Sequence, residues 1–328
     1  MVFDKETDLF GRFDWSAFAA AIRVAVRFLD DVVSVNTYVP AIKELRDCAW
    51  AARRIGLGVM GLADLLFCVG ARYGSRDGLV WCNDLAEFLQ YHAMQASIEL
   101  SRERGPFPAI TGSIFDPCNI AWAPVQFPMF GNAEGEQHVD TGKPELDWLS
   151  ITDGICRDGI RNAAVTTVAP TGTIGTVAGV EGYGLEPAFA LSFSRWVTQP
   201  DGSRLELRYA SRLFGRALAL SGIAEDSEAA QDVLSCGSCQ LVPGLTEEIR
   251  RVFVTAADVS VQGHIHTQAV WQQYLSNSIS KTINFPANAT EDDVREAYLL
   301  AHRLHCRGLT VYVADSRPVV VLQAGSSK

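Results

Sequence analysis

A loop rich in threonine and glycine is the stretch of this sequence best suited to chemistry. It runs Ala169-Pro-Thr-Gly-Thr-Ile-Gly-Thr176 and is followed by Gly182-Tyr-Gly-Leu-Glu-Pro187. Threonine hydroxyls and backbone N–H groups can donate hydrogen bonds to a diphosphate, since glycine lets the backbone approach a ligand closely. An ordinary turn is the alternative, because Thr and Gly are common in loops. The residue types alone leave both interpretations open.

Short apolar runs predict the strands that position this loop. The run 164–168 is β-branched and apolar, and Pro170 ends its ladder because proline has no N–H to donate. Runs at 189–197 and 309–313 show the same strand character. We expect 164–168 and 309–313 to lie in one sheet or half-barrel with helices outside it.

Caps and periodicity predict the helices. Asp14 caps a helix from Trp15 to about Val35, and Thr290 begins another that ends at Gly308. Further helices are predicted at about 55–70, 79–104, 203–222, 246–251 and 263–280. The segment 108–145 has little periodicity and is predicted to be a long loop. The C-terminal residues 318–328 are expected to be frayed.

Several ordered blocks share one resemblance. With the loop, they resemble ribonucleotide reductases, in particular the adenosylcobalamin-dependent (class II) branch, from about Phe13 to Arg317 with a variable insertion at 107–150. The further blocks are Arg53-Arg-Ile-Gly-Leu-Gly-Val-Met-Gly-Leu-Ala-Asp64, Gly159-Ile-Arg-Asn162, Val252-Phe-Val-Thr-Ala256, Ser280-Lys-Thr-Ile-Asn-Phe-Pro286 and Cys306-Arg-Gly-Leu-Thr-Val-Tyr312. Long blocks in a fixed order are more specific than any single motif.

The resemblance implies a fold and a site. The fold is α/β, the C-terminal portion of a ten-stranded α/β barrel, with a single domain over 1–328. The substrate would be a ribonucleoside di- or triphosphate, the cofactor adenosylcobalamin and the reductant a thioredoxin-like protein. Asn162 would support the strand, and Glu186 and Pro187 would shape the adjacent turn. The residues implied to bind the substrate phosphates are Pro170, Thr171, Gly172, Thr173 and Ile174.

The sequence departs from the family at the radical cysteine. The family carries it in an N-x-C-x-E loop, which does not occur here; the nearest echo, Asp116-Pro-Cys118-Asn119, has no glutamate. We therefore expect no catalytic residue in this chain, and an N-terminal reductase segment as its partner. A non-catalytic remnant that binds nucleotide or a partner chain is the alternative. Tyr312 stands alone, without the paired tyrosine of classes that use a separate radical-generating subunit.

Four other motifs or residues have an ordinary structural interpretation beside the functional one. Gly56-Leu-Gly-Val-Met-Gly61 matches G-x-G-x-x-G, but no strand is predicted before it, so close helix packing is the better interpretation. Cys236-Gly-Ser-Cys239 has no second ligand pair for zinc and does not match the family's reducing cysteines. His264 and His266 point apart if they lie on a helix. Lys281 meets either an anion or solvent.

Composition bounds the remaining classes. A net charge of −10 over 328 residues argues against a surface for duplex nucleic acid. Eight scattered cysteines are too few for a disulfide scaffold, which favours a reducing cytoplasm. No apolar run has the length of a membrane span. No metal site is predicted.

Overall fold

The computed structural model describes residues 8–126, 128–130, 138–199, 201–314, 316 and 322–324. Helices and short strands alternate along these ranges. The helices are α1 (Trp15–Val35), α2 (Lys43–Ala52), α3 (Leu62–Val69), α4 (Arg76–Arg104), α5 (Trp148–Asp158), α6 (Gly172–Ala178), α7 (Arg212–Leu220), α8 (Glu228–Cys236), α9 (Glu247–Val252), α10 (Val261–Tyr274) and α11 (Glu291–Arg303). The strands are β1 (Ser192–Thr198), β2 (Arg204–Ala210), β3 (Thr282–Phe285), β4 (Thr310–Val313) and β5 (Leu322–Ala324).

Two long helices build the larger part of the core. The Asp14 carboxylate accepts the Ala17 N–H and starts α1 where the sequence predicts. Helix α4 begins at the Ser75 cap and is buried on most of its surface, because α1, α5 and α10 all pack against it. Its core side chains include Leu85, Phe88, Leu89, Met94 and Ile98, as the periodicity predicts.

A row of parallel extended segments positions the loop. The segment 164–168 pairs on one side with Leu57, through Thr166, and on the other with Ile279, through Val168. The chain then continues from 277–280 into β3, which pairs in parallel with β4. The predicted strand at 164–168 is therefore extended but makes only isolated bridges. It reaches β4 through the intervening segment 277–285, and no closed barrel forms among the described residues.

An antiparallel hairpin replaces part of one predicted helix. Strands β1 and β2 pair from Ser192 opposite Ala210 to Thr198 opposite Arg204. The helix predicted over 203–222 is wrong before Ser211, because residues 204–210 alternate apolar and polar and Asp201-Gly202 forms a tight turn. Strand β5 pairs with β1, so the expected fraying at 318–328 is wrong for 322–324. The other residues of that tail, apart from these three, lie outside the described ranges.

Three other predicted helices have different bounds. The helix expected from Ile55 begins only at Leu62, because residues 55–57 donate and accept backbone hydrogen bonds with 164–167. The helix expected to reach Ser280 ends at Tyr274, where the chain turns extended to pair with 166–168. Helix α11 has the predicted Thr290 capping box but ends at Arg303. The sequence did not predict helices α2, α5, α6 and α8 or strands β2, β3 and β5.

The predicted loop region has no helix or strand between Gly105 and Asp147 in its described part. It is anchored rather than loose, since Phe107, Ile110 and Phe115 are buried and Trp15 Nε1 donates to the Thr141 carbonyl. Within the described ranges, none of the helices combines the length and apolar character needed to cross a bilayer.

Candidate functional site

The loop at 169–176 turns directly into helix α6. Pro170 and Thr173 are exposed and Thr171 and Gly172 are half-buried, so their polar groups border solvent. The Gly175 N–H donates to the Thr171 carbonyl at 2.7 Å, and the Thr176 hydroxyl donates to the Gly172 carbonyl at 3.0 Å. The first N–H groups of a helix have no partner within it, so those of 172–174 are free of intrahelical bonds. The loop therefore presents donors at the end of segment 164–168.

Thr171 has a strained backbone. Its φ of 52° lies in the left-handed region, which a β-branched residue rarely adopts. The Thr171 hydroxyl oxygen accepts the Gly184 N–H at 2.8 Å, which leaves the hydroxyl hydrogen to donate elsewhere. Gly172, by contrast, does not need glycine for its own fold, because a Cβ there would meet nothing within 4 Å. A side chain at position 172 would therefore contact a bound ligand rather than the protein itself.

The neighbouring turn at 180–187 contacts the first turn of helix α3, where the glycine-rich block 53–64 ends. The Asp64 carboxylate accepts the N–H groups of Glu181 and Gly182, each at 2.9 Å. Gly56 and Gly58 of the G-x-G-x-x-G match allow close packing, but of an extended chain against Thr167 rather than of a helix as expected, whereas Gly61 is the left-handed N-cap of α3. A Cβ on Gly58 would lie 2.4 Å from the Thr167 carbonyl oxygen. Helix α2, not a strand, precedes the motif, so the dinucleotide fingerprint fails.

Glu186 connects the turn to strand β3. Its Oε1 accepts the Thr282 N–H at 2.6 Å, and its Oε2 accepts from Lys281 Nζ at 2.9 Å. Lys281 is 2% exposed, so the surface alternative for this lysine is wrong and the anion that it meets is Glu186. Pro187 is buried beside it. Glu186 thus connects the turn to the start of β3, and the turn-shaping roles that the resemblance implies for Glu186 and Pro187 stay predictions.

Sequence reasoning missed the other groups around Lys281. His264 Nδ1 lies 2.9 Å from Lys281 Nζ, and the ring of Tyr73 lies 5.7 Å from it. Burial, with the nearby ammonium, lowers the pKa of His264 to about 3, so the ring is neutral and accepts from the lysine. Burial also raises the pKa of Tyr73 well above its usual value. The sequence signals for this cluster were Lys281 of the Ser-Lys-Thr-Ile-Asn block, which could meet an anion or solvent, and His264, considered only as a metal ligand.

Asn162 lies at the opposite end of segment 164–168. Its Nδ2 donates to the Arg53 carbonyl at 2.9 Å and to Asp30 Oδ1 at 3.1 Å. Its Oδ1 accepts from Ser97 at 2.8 Å. Asp30 is fully buried and also accepts from Arg53 and, at 3.4 Å, from Arg161. Asn162 therefore makes its contacts at the start of the segment, away from the loop, and its supporting role stays a prediction.

A cavity of about 440 Å³ borders the other side of α6. Its lining combines aromatic and charged side chains, and Thr176 forms part of its wall: Glu181, Tyr183, Phe193, Arg208, Tyr209 and Arg212. Ile174 and Val177, on the outer face of α6, are 59% and 86% exposed.

The remaining candidates show no redox or metal geometry. Cys236 is exposed and Cys239 is buried, both as free thiols, and burial raises the pKa of Cys239 to about 12. A thiol with so high a pKa is a poor nucleophile. His264 and His266 lie on α10, where the first contacts Lys281 and the second the ring of Phe130. No cluster of three or more His, Cys, Asp or Glu suited to a metal ion occurs among the residues with described placement.

Comparisons with known proteins agree with this architecture. The sequence model of the family described as "Ribonucleotide reductase, barrel domain" matches residues 2–312. A vitamin B12-dependent ribonucleoside-diphosphate reductase from Mycobacterium tuberculosis (strain CDC 1551 / Oshkosh) is 36% identical over 97% of this chain and 39% of its own. The enzyme with the same description from Thermoplasma acidophilum is 32% identical over 97% of this chain and 35% of its own.

A solved structure shows the same fold. The class Id ribonucleotide reductase alpha subunit of Actinobacillus ureae superposes with a TM-score of 0.65 at 21% identity, covering 90% of this chain and 46% of that one. The curated relatives are more than twice as long as the stretch that they share with this chain.

Proposed function

We propose that this chain, which belongs to the ribonucleotide reductase barrel-domain family, supplies the substrate-phosphate loop for the reduction of ribonucleotides to deoxyribonucleotides. The observation that carries the proposal is the strained Thr171, whose hydroxyl is oriented by Gly184 at the end of segment 164–168. Backbone strain of this kind is maintained where the surrounding structure over-determines it, and it is frequent at ligand sites. The Thr171 and Thr173 hydroxyls and the N–H groups of 172–174 then hold the phosphates of a ribonucleoside di- or triphosphate.

Radical chemistry requires groups from elsewhere. The N-x-C-x-E loop of the family is absent from this sequence, so the thiyl radical that abstracts the ribose hydrogen belongs to an N-terminal reductase segment acting with this chain. Electrons for replacing the ribose hydroxyl by hydrogen come from a dithiol, regenerated by a thioredoxin-like reductant. The free thiols are compatible with the reducing cytoplasm expected for such a reaction.

Adenosylcobalamin is the cofactor suggested by the names of the relatives. When bound, it supplies the radical that initiates the reaction. The cavity beside α6, of about 440 Å³, has the size of a pocket for a drug-sized ligand and is too small to enclose a corrinoid. The described residues beside the loop therefore do not form a complete cobalamin pocket, and such a pocket needs surface from the partner segment.

An exposed apolar stripe on α1 supports a further polypeptide partner. Val24, Phe28, Val32 and Val35 lie along one helix face and are 40% to 74% exposed. We expect the isolated chain to self-associate through such surfaces. Light scattering of the parent and of a Phe28→Glu variant measures this, and a parent that stays monomeric at high concentration contradicts it.

A non-catalytic binding fragment is the second candidate function. It is favoured by the missing N-x-C-x-E loop and by the 35% to 39% share of the relatives' length that the chain spans. Turnover on mixing this chain with a separately produced reductase segment that carries the loop supports the first candidate. Nucleotide binding without turnover in that mixture supports the second.

Gly172→Ala is the direct test of the phosphate loop. A Cβ at this position enters open space in the free chain, so folding should be unchanged. If a phosphate lies against the Gly172 backbone, the methyl group displaces it and affinity for a ribonucleoside diphosphate should fall by about tenfold or more. Gly215→Ala is the matched control, since its Cβ also meets open space but lies on α7. Equal titration curves for the parent and both variants would show that the loop is only a turn.

A further inference from the structure

Lys281 is a buried cation that the proposed function has not yet used. Its side chain is fully buried, and its ammonium group contacts Glu186 Oε2, His264 Nδ1 and its neighbour's carbonyl, Thr282 O, at 2.9, 2.9 and 3.1 Å. Taking an ammonium group out of water is costly, and a buried ion pair often contributes little net stability. Such a pair can instead fix one particular arrangement of the chain.

The groups that face Lys281 leave Glu186 as its only charged partner among the described contacts. The Tyr73 ring is neutral, since its pKa is raised by burial, and the nearby Cys82 thiol has its pKa raised to about 12 for the same reason. His264 is neutral and its Nε2 donates to the Ala256 carbonyl at 3.1 Å, which leaves Nδ1 to accept from the lysine. His264 thereby orients the lysine ammonium group toward Glu186.

Glu186 transmits this orientation to the loop through a short chain of contacts. Both of its carboxylate oxygens are bound at the start of β3, by Lys281 Nζ and by the Thr282 N–H. Its own N–H donates to the Tyr183 carbonyl at 2.7 Å, which closes the turn. Between them, Gly184 donates to the Thr171 hydroxyl oxygen.

The fit at Gly184 is tight. Its φ is +53°, and a Cβ there would lie 2.8 Å from the Ala169 carbonyl oxygen. A side chain at position 184 would therefore separate the turn from the loop and break the contact that orients Thr171.

We propose that Lys281 is a positioning residue for phosphate binding: through Glu186 it fixes the turn 182–187, and through the Gly184–Thr171 hydrogen bond it holds the loop 170–174 in its binding conformation. The inference rests on the proposed function, because it needs a phosphate at that loop. It adds to that function a residue outside the loop, immediately before β3, that sets phosphate affinity without contacting the substrate.

Lys281→Met tests the proposal against a purely structural role. Methionine keeps much of the stem volume and removes the charge, so Glu186 loses the contact that fixes it. We expect affinity for a ribonucleoside diphosphate to fall by about tenfold, while the weaker affinity for the matching nucleoside stays unchanged. The two titrations use the full chain, with folding followed by circular dichroism.

Arg53→Met is the matched control. Arg53 is also a fully buried cation paired with a carboxylate, Asp30, but it lies at the other end of segment 164–168. We expect it to lower thermal stability at least as much as Lys281→Met and to leave the affinity for the diphosphate unchanged. Equal losses of affinity in the two variants would assign the effect to general loosening and overturn the proposal.

Glu186→Gln carries the test if Lys281→Met does not fold, because the amide oxygen can still accept the Thr282 N–H. We expect the same selective loss of diphosphate affinity. If Lys281 acts through Glu186, the double variant binds no more weakly than Lys281→Met alone; additive losses would overturn the pathway.

The failure of the proposed function has its own signature. A parent chain that binds the diphosphate no better than the nucleoside removes the phosphate loop itself, and this inference with it. A parent that binds the diphosphate selectively, together with a Lys281→Met variant that binds it equally well, overturns only the inference.

Discussion

Two buried charge clusters lie at the two ends of the same extended segment, and they use their carboxylates differently. At the start of the segment, the Asp30 side chain is completely buried and accepts from Arg53, Arg161 and Asn162. At its end, the Lys281 side chain is completely buried, while Glu186 is 24% exposed beside the loop. In the first cluster the anion is inside, and the partly exposed member is a cation, Arg104, which donates to Asp30 Oδ2 at 3.1 Å. The second has its cation inside and its anion at the edge of the candidate site.

The difference teaches how one kind of interaction serves two purposes. The Asp30 cluster connects α1 and α4 with Arg53 and Arg161, and its contacts lie away from the loop. The Lys281 cluster has its partly exposed member, Glu186, in the turn that contacts the loop, so it can transmit the position of the interior to that loop. The expected consequences are that breaking the Asp30 cluster changes stability, and that breaking the Lys281 cluster changes binding.

Asp30→Asn should have the largest effect. The variant removes the charge that pairs with the buried Arg53, and breaking a buried pair by removing one partner costs about 3–5 kcal/mol. Urea unfolding measures the loss. Diphosphate affinity of the fraction that remains folded should be unchanged. A loss of stability under about 1 kcal/mol would show that the Asp30 cluster does not stabilise the fold in the way that this comparison requires.

Thr173→Val should have the next largest effect, on binding. The change keeps the side-chain shape and removes one exposed hydroxyl, so stability should remain close to that of the parent. Hydrogen bonds to charged groups are worth about 1.5–3 kcal/mol, which predicts a fall in diphosphate affinity of roughly ten- to a hundredfold. Isothermal titration checks this, with Thr152→Val on helix α5 as a control far from the loop in sequence. Unchanged affinity would remove Thr173 from the site.

The two clusters should change the stability of the protein in different pH ranges, the Asp30 cluster in acid and the Lys281 cluster in alkali. Burial alone would raise the pKa of Asp30, but Arg53 and Arg161 outweigh it and lower the pKa. Its contribution to stability is therefore present above the unfolded pKa of about 3.9 and is lost as the pH falls through the folded value.

Lys281 titrates in the alkaline range. Burial lowers the pKa of Lys281 despite Glu186, so the unfolded chain binds more protons between the folded pKa and about 10.4. Stability contributed by this group therefore rises with pH in that window. Relative to the parent, Asp30→Asn should lose its disadvantage in acid, and Lys281→Met should fall further behind at alkaline pH. Parallel stability curves for the parent and Lys281→Met would contradict a lowered pKa for Lys281.

The double change of Cys236 and Cys239 to serine should have the smallest effect. Cys239 is a buried thiol with a raised pKa, and the pair lies at the end of α8 in neither charge cluster. Turnover of the chain complemented by a reductase segment, with a dithiol reductant, should remain almost intact. Loss of turnover without loss of folding would show that Cys236 and Cys239 take part in the reaction.

Patterns local in the chain could be predicted from the sequence because their causes are local. Asp14 and Thr290 start their helices by accepting N–H groups three residues ahead, and Gly105 ends α4. The run at 310–313 is a strand because its β-branched residues favour an extended chain. The ordered blocks identified the family, which the match over residues 2–312 confirms. The phosphate-binding residues stay a prediction.

What only the tertiary structure decided depends on contacts between distant residues. Residues 55–57 and 275–280 have helix-compatible sequences, yet both are extended because segment 164–168 offers backbone partners on each side. The sequence left Lys281 with either an anion or solvent as its partner, and the fold brings Glu186 and His264, 95 and 17 residues away in the chain, into contact with it. Burial and pairing of a charge are properties of neighbours in space. The sequence could therefore specify the loop as a candidate, but only the fold shows what holds it in place.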